Sequence, residues 1–123
     1  MILKTYARVF TNDLPDSLPL FQQLVGREPD IRFTFGGWEI VAIGDILLIG
    51  GTEEALAPIR HSYGPLVVDN LEATQQQLEQ AGAVITQAIS TTPTGTMLYA
   101  RHADGIVMEY VQWTPELVKQ ILG

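Results

Sequence analysis

The sequence predicts an α+β fold in which one unit, a strand followed by a helix and three further strands, occurs twice. Three observations predict it. Two stretches with helical apolar spacing, 12–26 and 70–82, each follow a segment rich in β-branched and aromatic residues. Each helix is followed by short apolar runs divided by turn signals. An offset of 57 residues lays Tyr6 on Tyr63, Leu14 on Leu71 and Phe21 on Leu78. The identity is slight, but elements that recur in the same order point to a structural duplication.

The elements follow from local chemistry. "LKTYARVFT" (3–11) reads as a strand from its aromatic and β-branched content. In "NDLPDSLPLFQQLVG", Asn12 or Asp13 caps a helix, and Leu18, Phe21, Leu24 and Val25 form its apolar stripe. Gly26 stops that helix, and Pro19 places it within the first turn or moves the start beyond Asp13. "IRFTF" (31–35), "WEIVAI" (38–43) and "DILLIGG" (45–51) are strands, with hairpin turns at Gly36-Gly37 and Gly44-Asp45. Residues 52–62 are polar, contain Pro58 and read as a connector.

The pattern then restarts. "YGPLVVDN" (63–70) is a strand whose Pro65 marks an edge position or an irregular start. "NLEATQQQLEQAG" is a helix ending at Gly82. "AVITQAIS" (83–90), "TMLYAR" (96–101) and "IVMEYVQW" (106–113) are strands. "TPELVKQILG" is a short helix with Thr114 as N-cap and Pro115 at its first position. One domain is expected, with module one at 1–52, module two at 61–113 and a terminal helix at 114–123.

Composition narrows the function. The chain is 46% hydrophobic and 17% charged, ordinary for a globular protein. Seven basic against fourteen acidic residues give a net charge of −7, with no Lys/Arg cluster. Nucleic acid and anionic membrane are therefore unsuitable partners. No cysteine is present, which removes disulfides, thiolate metal sites and thiol nucleophiles. No apolar run has the length of a membrane span and no signal peptide is evident, so a cytoplasmic protein is expected. Phosphate-cradling glycine loops and the G-x-S-x-G elbow are absent.

Glu109 stands out. It interrupts the apolar run 106–113, and a charge carried inward on a strand is costly unless something pairs with it. Its reading as a carboxylate facing a cationic or hydrogen-bonding ligand stands beside one in which Tyr6 or Tyr63 simply satisfies it. Tyr6, Arg8 and Phe10 alternate onto one strand face, so Arg8 is read as an anchor for a ligand carboxylate, a partner for Glu109 or a solvated residue. Phe33, Phe35, Trp38, Tyr99 and Trp113 offer an aromatic lining, with Phe35 and Trp38 placed to close over a mouth. His61 lies two residues from Tyr63 in the connector, and His102 is expected at the surface beside a turn.

Three stretches together, "VFTNDLPDSLPLFQQLVG", "VVDNLEATQQQLEQAG" and "HADGIVMEYVQ", resemble the vicinal oxygen chelate superfamily, the group of glyoxalases, bleomycin-resistance proteins and extradiol dioxygenases. The resemblance covers nearly the whole chain. It implies two βαβββ modules curving into a mixed-sheet cup that holds the ligand, and a homodimer. In metal-dependent members it implies ligands from the first and last strands of each module. Those positions match Tyr6, Tyr63 and Glu109, with the fourth at Leu48 or Ile49. A neutral phenol, with a pKa of about 10, is a poor metal ligand at neutral pH. The expectation is therefore a non-metal binder of an aromatic or cationic small molecule, without cofactor, using Tyr6, Arg8, Phe35, Trp38, Tyr63, Tyr99, Glu109 and Trp113. The alternatives are a metal-dependent lyase, isomerase, transferase or dioxygenase with an unorthodox ligand set, and a metal-free enzyme with Glu109 as general base.

Overall fold

A computed structural model describes residues 1–123 as nine strands and four α-helices, the α+β class expected. In chain order these are β1 (Ile2–Thr5), β2 (Ala7–Thr11), α1 (Leu14–Val25), β3 (Ile31–Phe35), β4 (Trp38–Ile43), β5 (Ile46–Gly50) and α2 (Glu53–Leu56). Then follow β6 (Ser62–Val68), α3 (Leu71–Gln80), β7 (Val84–Thr92), β8 (Gly95–Arg101), β9 (Val107–Trp113) and α4 (Pro115–Leu122). The chain divides into two units, residues 6–61 and residues 1–5 with 62–123.

In the 6–61 unit the sheet order is β2-β5-β4-β3, with β2 parallel to β5 and the other pairs antiparallel. The Asp13 side chain caps α1 by accepting from the Asp16 amide. Pro19 lies beyond the first turn, deeper than its missing amide predicts. Both Pro19 and Pro15 are exposed. Leu14 and Leu18 of α1 bury against Val41 and Leu48, with Val9, Phe21 and Ile46 around them. One sheet face is thereby covered. By alternation the other face carries Arg8, Phe10, Ile40, Leu47, Ile49 and the β3 aromatics.

Residues 52–62 are not a plain connector. Thr52 caps α2 by accepting from the Ala55 amide, and a 3₁₀ turn follows at Ala57–Ile59. Leu56 and Ile59 are buried, which gives this short segment an apolar anchor.

In the second unit the order is β1-β6-β9-β8-β7, with β6 parallel to β9. The two units thus share one topology: the strand before the helix lies parallel to the last of the three strands after it. The Asn70 side chain caps α3 by accepting from the Ala73 amide, and the Leu71 amide donates to Gln112 Oε1 on β9 at 2.8 Å. Val68, Leu71, Leu78, Leu98, Ala100 and Tyr110 form the core under α3. Thr114 caps α4 as expected, accepting from the Leu117 amide.

The stretch 3–11 is not one strand. β1 joins β6 and β2 joins β5, in different sheets, and Tyr6 stands between them. The irregularity foreseen at Pro65 is present: β6 is internal, and its pairing with β9 shifts register between Tyr63 and Leu66. No helix is long and apolar enough to cross a membrane.

Candidate ligand-binding site

Four of the eight candidate residues belong to each unit. In the 6–61 unit, Tyr6 is 6% exposed. Burial pushes its phenol well above the usual tyrosine range, the charges of Asp30 and Asp45 add to this, and Arg27 partly offsets them. Asp30 is itself held by an ion pair with Arg27 and accepts from the Gly44 amide at 3.0 Å. Tyr6 is consequently a neutral phenol throughout the physiological range.

Arg8 is half-buried and shares its face with Phe10, Leu47 and Ile49. The guanidinium of Arg60 lies 5.8 Å from the Phe10 ring centroid. Glu53 fixes Arg60 from the other side, with oxygens 2.6 and 3.2 Å from its Nη2 and Nε, and this holds the Glu53 carboxyl below the usual range. No apolar periodicity marks residues 52–62, so the sequence carries no local signal for Arg60, which follows the 3₁₀ turn.

Phe35 and Trp38 face each other across the β3–β4 turn, ring centroids 6.4 Å apart and tilted by 41°. The Trp38 indole N–H donates to the Ala55 carbonyl at 2.8 Å. That bond ties Trp38 to α2.

In the second unit Glu109 pairs directly with Tyr99 on β8, so the two share a face. Met108 and Tyr110 alternate to the side of α3, which turns Glu109 and Tyr99 to the opposite side. Both are half-buried. Tyr63 is not on the Glu109 face. The β6 register pairs it with Met108, and it is 58% exposed. The cause is the register shift, since a one-residue slip moves a side chain to the other face. Trp113 is 5% exposed, a core residue opposite Gly95.

His61 is exposed. His102, expected at the surface, is partly buried: its Nε2 is 2.7 Å from Tyr110 Oη, and the rings stack at 6.0 Å. Their eight-residue separation across a turn hides this pair from any local pattern.

Neither a family model nor a curated protein matches the chain. Solved structures do. An uncharacterised protein of Methanosarcina mazei shares 37% identity over 93% of this chain and 94% of its own, with a TM-score of 0.87. A hypothetical protein of Bacillus halodurans matches at 16% identity over 89% and 92% of the two chains, TM-score 0.71. A methylmalonyl-CoA epimerase of Streptomyces coelicolor, solved with 2-nitronate-propionyl-CoA, matches at 13% identity over 94% and 97%, TM-score 0.73. The chain shares the fold of these proteins.

The metal site that the sequence resemblance implies does not fit the donor set of this chain. Nowhere does the chain gather three His, Cys, Asp or Glu side chains. Tyr6 is a phenol held neutral, and Leu48, at 0% exposure, offers only an alkyl group. Divalent metals of this class take imidazole nitrogen and carboxylate oxygen, and of the matched positions Glu109 alone supplies either.

Proposed function

We propose that this protein is a member of the vicinal oxygen chelate superfamily that binds a planar aromatic small molecule without a metal. One observation carries the reading. The sheet face of the 6–61 unit turned away from α1 carries Phe10, Phe33 and Phe35, half-buried beside the buried Leu47 and Ile49, with Arg8 on the same face and the Arg60 guanidinium over Phe10. Rings set on a strand framework favour stacking, worth about 0.5–1.5 kcal/mol per pair beyond area burial. Arg8 directs an acidic or hydrogen-bond-accepting group of the ligand, because a half-buried guanidinium binds carboxylate most strongly. A protein of the same fold has been solved with an organic ligand, 2-nitronate-propionyl-CoA, which agrees with small-molecule binding as the use of this architecture.

A thermal-shift screen of planar aromatic acids, amines and neutral compounds tests the proposal, read alongside Trp38 fluorescence in a Trp113→Phe background. Stabilisation by an aromatic acid that quenches Trp38 and is lost on Arg8→Met supports it. A panel with no member that raises Tm counts decisively against it.

A second reading is favoured by the half-buried Glu109 beside Tyr99: a metal-free enzyme with Glu109 as the proton-abstracting base. Turnover abolished by Glu109→Gln, with ligand affinity kept, separates it from simple binding.

A further inference from the structure

The second unit contains a pocket on the α3 side of its sheet, the face opposite Glu109. Val68, Thr74, Leu78, Ala83, His102 and Tyr110 are among its walls. We propose that this pocket is a separate ligand site that takes a neutral, single-ring phenol.

Size sets the first limit. The volume is about 270 Å³. That exceeds the roughly 150 Å³ of an apolar cavity that takes benzene, and it lies just under the roughly 300 Å³ at which drug-sized pockets begin. One ring fits the space better than two.

Charge sets the second. No Asp, Glu, Lys or Arg side chain lines the pocket, and the terminal ammonium of Met1, which also lines it, is paired with Asp69 Oδ1 at 2.8 Å, so a charged ligand would give up hydration with no unpaired counter-charge in return. A neutral molecule is selected.

The polar wall sets the third. His102 Nε2 and Tyr110 Oη are 2.7 Å apart and share a single hydrogen bond. If Tyr110 donates it, the phenol oxygen keeps a lone pair for the ligand; if His102 donates it, the Tyr110 hydroxyl is left to donate elsewhere. The competing contact, Tyr110 Oη to Met108 Sδ, is 3.9 Å and weak. A ligand hydroxyl both donates and accepts, and so serves either tautomer, whereas a carbonyl serves one alone. Thr74 donates its own hydroxyl proton to the Asn70 carbonyl, and the carboxamide of Gln77, the other polar side chain of the wall, belongs to an exposed residue.

The site is independent of the aromatic face in the 6–61 unit, and so is its test. Isotope-labelled full-length protein is titrated with p-cresol and with toluene, its near-isostere without the hydroxyl, and amide shifts are followed by NMR. The expected result is shifts centred on Thr74, Ala83 and His102, with p-cresol bound about fivefold more tightly than toluene, as one hydrogen bond contributes. Tyr110→Phe should erase that preference while leaving toluene binding in place. Because Tyr110 is a core residue, Ala81→Phe supplies a second arm: Ala81 lines the pocket at an exposed helix end, and the larger ring should displace both ligands. Equal affinity for the two probes, undiminished p-cresol binding to Ala81→Phe, or shifts that map to β3 and β4 would each overturn the assignment. The last outcome would leave the reading of the 6–61 face standing.

Discussion

Gly64→Ala probes the one place where backbone packing presses directly on Glu109. Gly64 has φ of 101°, and a Cβ there would lie 2.7 Å from the Glu109 carbonyl oxygen and 3.1 Å from the Leu66 nitrogen. Ordinary contact begins near 3.4 Å, so β6 and β9 must part by about 0.7 Å or the turn must deform. Holding an L-residue in the left-handed region costs about 1–2 kcal/mol. Weakening one ladder hydrogen bond adds about 1 kcal/mol. The expected loss is therefore about 2–3 kcal/mol. Gly105 provides the control, because its φ is 96° but a Cβ there meets nothing within 4 Å. Gly105→Ala should show the conformational cost alone, about 1–2 kcal/mol. Urea unfolding and thermal melts of both variants measure the difference, with roughly 3–5 °C of Tm expected per kcal/mol in a chain of this size. Equal losses in the two variants would refute the argument, for they would show that the Glu109 carbonyl yields without cost. In the expected case, Gly64→Ala also moves the amide resonances of Met108 and Glu109.

Leu48→Ala, at a side chain with 0% exposure packed on Leu14, Leu18 and Val41, should destabilise by about 3–5 kcal/mol in urea titration. Tyr6 makes stability fall in alkali. Its folded pKa lies above its unfolded value of about 10, so its contribution is complete below that pH and declines as the pH rises beyond it. Urea midpoints at about pH 8 and about pH 11 should differ more for the native chain than for Tyr6→Phe. Arg60→Gln should return the Glu53 carboxyl toward its ordinary range, because the Arg60 hydrogen bond is the largest cause of its depression. An NMR titration of the Glu53 side chain reads that change directly.

The sequence carried a good part of the site's raw material and little of its arrangement. Glu109 was legible from its place in an apolar run, and its partner Tyr99 was named without being paired to it. Arg8 and Phe10 share one face of β2, since strand alternation is a local rule, whereas Tyr6, expected on that face with them, lies outside β2. The same rule failed for Tyr63, because the register slips beside Gly64 and Pro65 and no local signal states by how much. Trp113 reads as an aromatic candidate by type, yet 5% exposure makes it core. His102 and Tyr110 meet only because the turn through Asp104 and Gly105 returns the chain.

What the sequence determined by itself was the list of elements. Asp13, Asn70 and Thr114 cap the three longer helices through side-chain bonds made within a few residues, so composition at short range suffices to place them. The strand runs were likewise placed within a residue or two, for β-branched and aromatic content acts locally. Tertiary structure alone decided partnership. Residues 3–11 carry one unbroken strand pattern, yet β1 hydrogen-bonds to β6, more than fifty residues on, while β2 bonds to β5. Backbone hydrogen bonds between strands are made by groups common to every residue, so a strand's own sequence does not encode its partner. Burial of the whole chain selects it.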